Sequence, residues 1–501
     1  MITSGPPHGA NPKASSQDAR HRLAGGLAGA ASLTSPLATV LDALARGAAE
    51  RGGPIGAGGP GLVAEQVAAA LDGDPLPEHG IGELAALGDL TAALARGAAD
   101  PADPRCAGHL HGPPLAVAVA AELAAAALNP SLDSWDQGPA ATALEPHVVR
   151  AVAGLVGYGE DAGGVLTSGG TESNLMGLLL ARDSAIRRRY GVDASARGIG
   201  DARVRILCSE IAHFSVQRNA ALLGLGEDAM VPVPVDAAYR MDVAAAAALM
   251  DADVAAIVAT AGTTDFGSID PLPELAALAA EHRAWFHVDA AYGGGALLSD
   301  RLAPLLAGVE RADSVALDLH KVGWQPVPAG VFVTRRASSF EPLARRVAYL
   351  NPADDEEAGY PSLLGQSLRT TRRVDAFKVA VTFRALGRSG LGALVDACHD
   401  LAGYAAGAIE AHPRLELTAK PVLTTVVFRY RPVTAGDHIV TDRVNAALRR
   451  QLLAEGAAVI GRVEVGGSVR LKLTLLNPYA TRADVDALLA AVVAAGEKEC
   501  Q

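Results

Sequence analysis

The chain has 501 residues, half of them apolar and a fifth charged, so it is long enough to bury a large core without disulfides or metals. Lysine and arginine number 43 against 55 aspartates and glutamates, a formal charge of −12, and a nucleic-acid partner is therefore not expected. No stretch of about 18 apolar residues runs without a charge, and the apolar run near Leu115 is broken by Glu122, so no membrane partner is expected either.

Residues 1 to about 22 are rich in Gly, Pro and Ser and are expected to form a disordered tail. The N-terminus shows no basic segment followed by an apolar run, so a secretory leader is not expected. Residues 23–104 are Ala-, Leu- and Gly-rich and read as a helical N-terminal segment, with short helices over 37–49 and 61–70. Between 105 and 385, short apolar runs alternate with helical stretches such as Glu172–Tyr190 and Leu272–His282. The runs 204–209, 255–262, 284–292, 314–321 and 330–335 have the length and composition of buried parallel strands. Such alternation predicts a doubly wound α/β domain with its ligand at the carboxyl ends of the strands. A long helical run follows from about Arg373 to Ala411. Strand-like runs over 424–430 and 468–476, with helices between and after them, predict a small α+β domain over 386–501. Cys106, Cys208, Cys398 and Cys500 show no CxxC spacing, which argues for reduced thiols in a cytoplasmic protein and against a zinc site. No metal is expected.

Three motifs carry chemistry. Thr167-Ser168-Gly169-Gly170-Thr171-Glu172-Ser173-Asn174 leads into an amphipathic helix. Its glycines let an anion approach the backbone, Thr171 adds a hydroxyl, and the helix start adds N–H groups, which together suit a phosphate. It lacks the P-loop spacing. Val288-Asp289-Ala290-Ala291-Tyr292-Gly293-Gly294-Gly295 places a carboxylate at a strand end, where it needs a cationic or donor partner. Asp318-Leu319-His320-Lys321 ends the run 314–321, where desolvation would leave the lysine amine nucleophilic. Each motif alone also fits an ordinary turn or a solvated strand end. In order on one α/β scaffold they supply a phosphate site, a carboxylate for a heterocyclic cation and an amine for a carbonyl, the three needs of pyridoxal 5′-phosphate (PLP).

Over roughly residues 105–480 the chain also resembles the group II PLP-dependent amino-acid decarboxylases of PLP fold type I. The likeness rests on TSGGTESN, AHFSVQRNAALLGLG (212–226), ATAGTTDFGSIDPLPE (259–274), HVDAAYGG (287–294), DLHK (318–321) and LRTTRR (368–373). Forms of GHLHGPP (108–114) and SWDQGPAATALE (134–145) resemble the L-2,4-diaminobutyrate decarboxylases and the lysine decarboxylases of siderophore pathways. The resemblance implies that Lys321 bonds the cofactor aldehyde and that Asp289 faces the ring nitrogen. It also implies that His213 stacks on the ring with Ala291 on the other face, that Gly170, Thr171 and His320 hold the phosphate, and that Thr264 lies beside the cofactor. Tyr349, 28 positions after Lys321, matches a mobile-loop tyrosine that protonates Cα across a dimer interface. His109 and His111 fall where relatives contact the substrate.

The activity implied is decarboxylation of an L-amino acid by a cytoplasmic homodimer with its active site at the interface. The favoured substrate is an aliphatic diamino acid (2,4-diaminobutyrate, lysine or ornithine) in siderophore or diamine biosynthesis. Cys106, Ala107 and Gly108 are small where relatives carry aromatics, so an aromatic substrate would find little to stack on. Alternatives are an aromatic or acidic amino acid, an aminotransferase, a carbon–sulfur lyase, an oxidative decarboxylase, or a non-catalytic dimer of the same fold. Two departures bear on substrate scope: Arg218 stands where relatives carry lysine, and the stretch from Val322 to Gly330 differs from the usual one.

Overall fold

The computed structural model describes residues 23–433 and 438–500, so the tail expected over 1–22 lies outside the described residues. The chain divides into two compact units. In the first, the helices α1 (Thr34–Arg51) and α3 (Glu83–Gly97) pack against each other; α2 (Gly59–Ala70) lies between them in sequence. The contact is close because Gly47 carries no side chain: a Cβ there would lie 2.5 Å from the Ala92 carbonyl oxygen and 2.6 Å from the Ala95 Cβ. Ala43, Ala93 and Ala95 are buried, and Arg51 donates to the Ala95 carbonyl at 2.8 Å.

The second unit holds two sheets. Strands in chain order are β1 (Cys106–Ala107), β2 (Gly163–Thr167), β3 (Arg205–Ser209), β4 (Met230–Val233), β5 (Val254–Thr260), β6 (Trp285–Ala290), β7 (Ser314–Asp318), β8 (Gly330–Thr334), β9 (Leu415–Leu417), β10 (Thr425–Tyr430), β11 (Val459–Val465) and β12 (Ser468–Thr474). Helices of eight residues or more are α4 (Ala116–Leu128), α5 (Pro139–Val156), α6 (Gly170–Tyr190), α7 (Ser215–Leu222), α8 (Leu272–His282), α9 (Ala376–Ala411), α10 (His438–Ala454) and α11 (Arg482–Lys498).

The large sheet runs β2-β8-β7-β6-β5-β3-β4, with β8 antiparallel to both neighbours and the other pairings parallel. Every residue of β5, β6 and β7 is buried, as in a sheet covered on both faces. Neighbours in sequence point to opposite faces. Leu207, Ile257 and Val331 join one core with Val152 of α5 and Leu275 of α8. Ile206, Val258 and Phe332 join another with Met176 and Leu180 of α6.

The small sheet runs β1-β11-β12-β10-β9, antiparallel apart from the β1–β11 pair. Its core combines Val426, Phe428, Leu471 and Leu473 with Leu448 of α10 and Val492 of α11. The helical run expected from Arg373 is shorter and broken. It starts at Ala376, and two helices meet at Gly387, whose φ of 65° and ψ of 177° are non-helical. Val379 and Val395 of α9 lie in the core of the large sheet, whereas Leu401 and Ile409 lie in that of the small one. No helix among the described residues is long and apolar enough to cross a membrane.

Candidate active site

The carboxyl ends of β5, β6 and β7 and the amino end of α6 converge on a cavity of about 410 Å³. Gly170, Thr171, His213, Thr264, Asp289, Ala291, His320 and Lys321 all line it. Residues from five separate stretches of sequence thus meet at the place where a parallel sheet leaves its strand ends open.

The glycine cradle is crowded. A Cβ on Gly169 would lie 3.3 Å from His320 Cε1, and one on Gly170 would lie 3.0 Å from the Ala291 Cβ and 3.2 Å from Asp318 Oδ2. Gly169 itself has φ 150° and ψ −178°. Glu172 braces the turn, accepting from Ser168 N–H at 2.7 Å and from Arg369 Nε at 2.9 Å. Asn219 Nδ2 donates to the Thr171 carbonyl at 3.0 Å. The LRTTRR segment therefore serves as a clamp: Arg369 grips Glu172 of α6, Arg372 grips Glu145 of α5 at 2.6 Å, and Arg373 pairs with Glu122 of α4.

Asp289, at the end of β6 and buried, accepts from Asn174 Nδ2 at 2.7 Å and from Ala291 N–H at 3.1 Å. Both its oxygens therefore have donors, as a buried carboxylate requires. His213 follows β3; its Nδ1 is 2.8 Å from Ser215 Oγ, and burial holds its pKa below the usual imidazole value against the pull of Asp289. His320 is lowered by the same cause, and its Nδ1 accepts from Ala329 N–H at 3.4 Å.

Lys321 departs from the expectation that it ends a strand. β7 stops at Asp318, and Lys321 lies in the turn beyond, its N–H donating to the Asp318 carbonyl at 3.2 Å. Its Nζ is 3.0 Å from Asp318 Oδ2. Tyr349 does not line the cavity and is 82% exposed. His109 and His111 are exposed and lie outside the lining, whereas Leu110 between them faces it. The altered stretch after Lys321 has a packing role: Trp324 is fully buried and its indole N–H donates to the Leu476 carbonyl at 2.8 Å.

Asn174, Ser215, Thr260 and Asp318 are among the site residues with no role on sequence grounds. Asn174 stood in the quoted motif, one helical turn from Gly170, which places the two on the same face of α6. Asp318 and Thr260 each keep one buried oxygen without a partner, Oδ1 and Oγ1, and both residues line the cavity. A site with unspent polar atoms, a glycine cradle at a helix start, a donor-held carboxylate and an amine fits a phosphorylated heteroaromatic aldehyde. Fold and site together define a PLP enzyme of fold type I.

The model of the pyridoxal-dependent decarboxylase conserved domain matches residues 66–431. The chain is 42% identical over 427 residues to the L-2,4-diaminobutyrate decarboxylase of Rhizobium meliloti (strain 1021), covering 84% of this chain and 83% of that one. It is 39% identical over 414 residues to the L-2,4-diaminobutyrate decarboxylase of Acinetobacter baumannii, covering 79% and 80%. Among solved structures it resembles the glutamate decarboxylase domain of diaminobutyrate-pyruvate transaminase and L-2,4-diaminobutyrate decarboxylase from Vibrio parahaemolyticus. That match has a TM-score of 0.85 at 34% identity and covers 97% of this chain and all of the other. The chain belongs to the pyridoxal-dependent decarboxylase family. It is a PLP-dependent amino-acid decarboxylase.

Proposed function

We propose that this chain converts an aliphatic L-diamino acid, 2,4-diaminobutyrate before lysine or ornithine, to its diamine and CO2, as a cytoplasmic homodimer in siderophore or diamine biosynthesis. The observation that carries the substrate is the pair of L-2,4-diaminobutyrate decarboxylases at 42% and 39% identity over most of the chain. The small residues Cys106 to Gly108 also leave no aromatic platform.

In this reading Lys321 is the residue whose amine would hold the cofactor through its aldehyde. Gly170, Thr171 and His320 hold the phosphate, and Thr264 lies beside the cofactor. Asp289, kept acceptor-only by Asn174 and Ala291 N–H, holds a proton on the ring nitrogen. His213 and Ala291 bound the two ring faces, and burial keeps His213 neutral and able to donate a hydrogen bond. When bound, PLP supplies an electron sink for the pair left as CO2 departs. Tyr349 then delivers a proton to Cα. It is exposed and outside its own chain's cavity, which suits a residue that works in the other subunit's site. Exposed Leu41 and Leu44 of α1 and Leu90 and Leu94 of α3 give the first unit an apolar surface for the same dimer. His109 would reach the distal end of the substrate from the segment next to Leu110.

The test is kcat/KM for 2,4-diaminobutyrate, ornithine, lysine, glutamate, aspartate, tyrosine and tryptophan, with the oligomer measured by light scattering. A preference for 2,4-diaminobutyrate by a dimer is expected. A preference for glutamate, aspartate or an aromatic amino acid would refute the substrate assignment.

A further inference from the structure

Behind the cavity lies a buried hydrogen-bonded chain whose direction can be deduced. Trp285 Nε1 is 2.8 Å from Ser314 Oγ, which is 2.8 Å from His287 Nδ1. His287 Nε2 is 2.9 Å from Asn174 Oδ1. Asn174 Nδ2 is 2.7 Å from Asp289 Oδ2 and 3.0 Å from Ser215 Oγ, and Ser215 Oγ is 2.8 Å from His213 Nδ1. Asn174, Ser215, His287 and Ser314 are all at most 1% exposed, so water cannot substitute for a missing partner.

An indole N–H can only donate. Ser314 Oγ therefore accepts from Trp285, and its one hydrogen is available to His287 Nδ1, the arrangement that agrees with the Asn174 NH2 facing the Asp289 carboxylate. A neutral His287 then carries its proton on Nε2 and donates to Asn174 Oδ1. Burial favours that neutral ring, pushing its pKa far below the usual imidazole value. The orientation of the Asn174 amide is thereby set, its NH2 facing Asp289 and Ser215. Ser215 Oγ accepts from Asn174, so its hydrogen points to His213 Nδ1. The Ser215 N–H donates to the same nitrogen at 3.3 Å, so Nδ1 is an acceptor and the His213 proton resides on Nε2. Gly177 makes room for the arrangement: a Cβ there would lie 2.7 Å from His287 Nδ1 and Cε1.

We infer that Asn174, oriented by the His287–Ser314–Trp285 chain, is the positioning residue for Asp289, donating to its Oδ2, and that through Ser215 Oγ it supports the His213 tautomer held by the Ser215 N–H. The inference deepens the proposed function and rests on Asp289 being the partner of the ring nitrogen. One amide thus couples the group that faces the ring edge to the group on the ring face.

The experiment uses purified enzyme reconstituted with PLP, without substrate, as wild type, Asn174→Leu, His287→Gln, His287→Leu and Asp289→Asn. Cofactor absorbance is titrated against pH and PLP dissociation is followed after dilution. His213, Tyr292, Asp318, His320 and Lys321, the other titratable groups lining the cavity, are untouched in all variants. Asn174→Leu is expected to move the absorbance midpoint by about one pH unit or more and to weaken PLP roughly tenfold, the loss of one hydrogen bond to a charged group. His287→Leu should follow it. His287→Gln, which retains an N–H for Asn174, should stay near wild type. Asn174→Leu and His287→Leu with lower melting temperatures but wild-type midpoints and PLP retention would overturn the inference. Should Asn174→Leu fail to fold, the His287→Gln and His287→Leu pair decides by the same criteria. A wild-type response of Asp289→Asn would overturn the reading of Asp289 itself; a strong one beside silent Asn174 and His287 variants would overturn only the role of Asn174.

Discussion

The Lys321 amine lies 3.0 Å from one oxygen of the buried Asp318 carboxylate, and the other oxygen of that carboxylate has no partner. A lysine bonds a carbonyl only as the free amine, so in the proposed function, where Lys321 bonds the cofactor, this ion pair has to open first. Asp318→Asn removes the charge while keeping the shape. Covalent uptake of PLP by the variant apoenzyme at pH 7 is expected to be faster, on the order of tenfold, since charge-assisted contacts are about twice as strong as neutral ones. Stopped-flow absorbance checks this; unchanged or slower uptake would mean that Asp318 serves the cradle rather than the lysine.

Glu172 holds two donors, Ser168 N–H and Arg369 Nε, at the turn that forms the glycine cradle. In Glu172→Ala both lose their acceptor and the turn loosens. PLP affinity should fall about tenfold, the cost of roughly 1–2 kcal/mol for such hydrogen bonds, while kcat at saturating PLP changes less. Equilibrium titration of the apoenzyme with PLP measures it. Loss of kcat with unchanged PLP affinity would contradict the bracing role.

Much of this was legible in the sequence because the chemistry is concentrated at strand and helix ends. The motifs around Gly170, Asp289 and Lys321 could be placed on α6, β6 and β7 by their flanking apolar runs, and all eight expected cofactor residues line one cavity. Asn174 and Ser215 escaped because their roles depend on partners 115 and 41 positions away. β11 escaped although its antiparallel partner β12 follows directly after the Gly466-Gly467 turn, a hairpin signal the sequence carries; only its second pairing, with the two-residue β1 more than three hundred positions earlier, has no local pattern. Gly387 was visible as a residue, but a glycine inside a helical pattern does not declare whether the helix continues.

Arg372 and Glu145 form an ion pair in which the side chains are only 2% and 3% exposed. Burial raises the Glu145 carboxyl pKa and Arg372 opposes that rise. Arg372→Met is expected to destabilise the protein by about 3–5 kcal/mol by leaving a buried carboxylate unpaired. Arg372→Met with Glu145→Leu should recover most of it. Urea denaturation of the four proteins in this cycle decides, and equal loss in single and double variants would refute the account.

Acid should weaken the fold through His287. Its pKa lies near 4 in the folded chain, below the ordinary 6.5, because burial disfavours the charged ring. Below pH 6.5 the unfolded chain takes up a proton that the folded chain refuses, so the stability this group contributes at neutral pH is lost as pH falls. The loss amounts to about 1.4 kcal/mol per pH unit once the unfolded histidine is charged. The drop in melting temperature between pH 7.5 and 5.5 should be smaller in His287→Gln than in wild type. An identical drop would show that other groups govern it.

The most direct measurement of the central claim is the product balance of the PLP-loaded enzyme on 2,4-diaminobutyrate, with Lys321→Ala alongside. One CO2 per 1,3-diaminopropane is predicted, with no aldehyde, no keto acid and no need of an amino acceptor, and Lys321→Ala should lose both turnover and the covalent cofactor band. A keto acid in place of CO2, or turnover that survives the loss of Lys321, would contradict it.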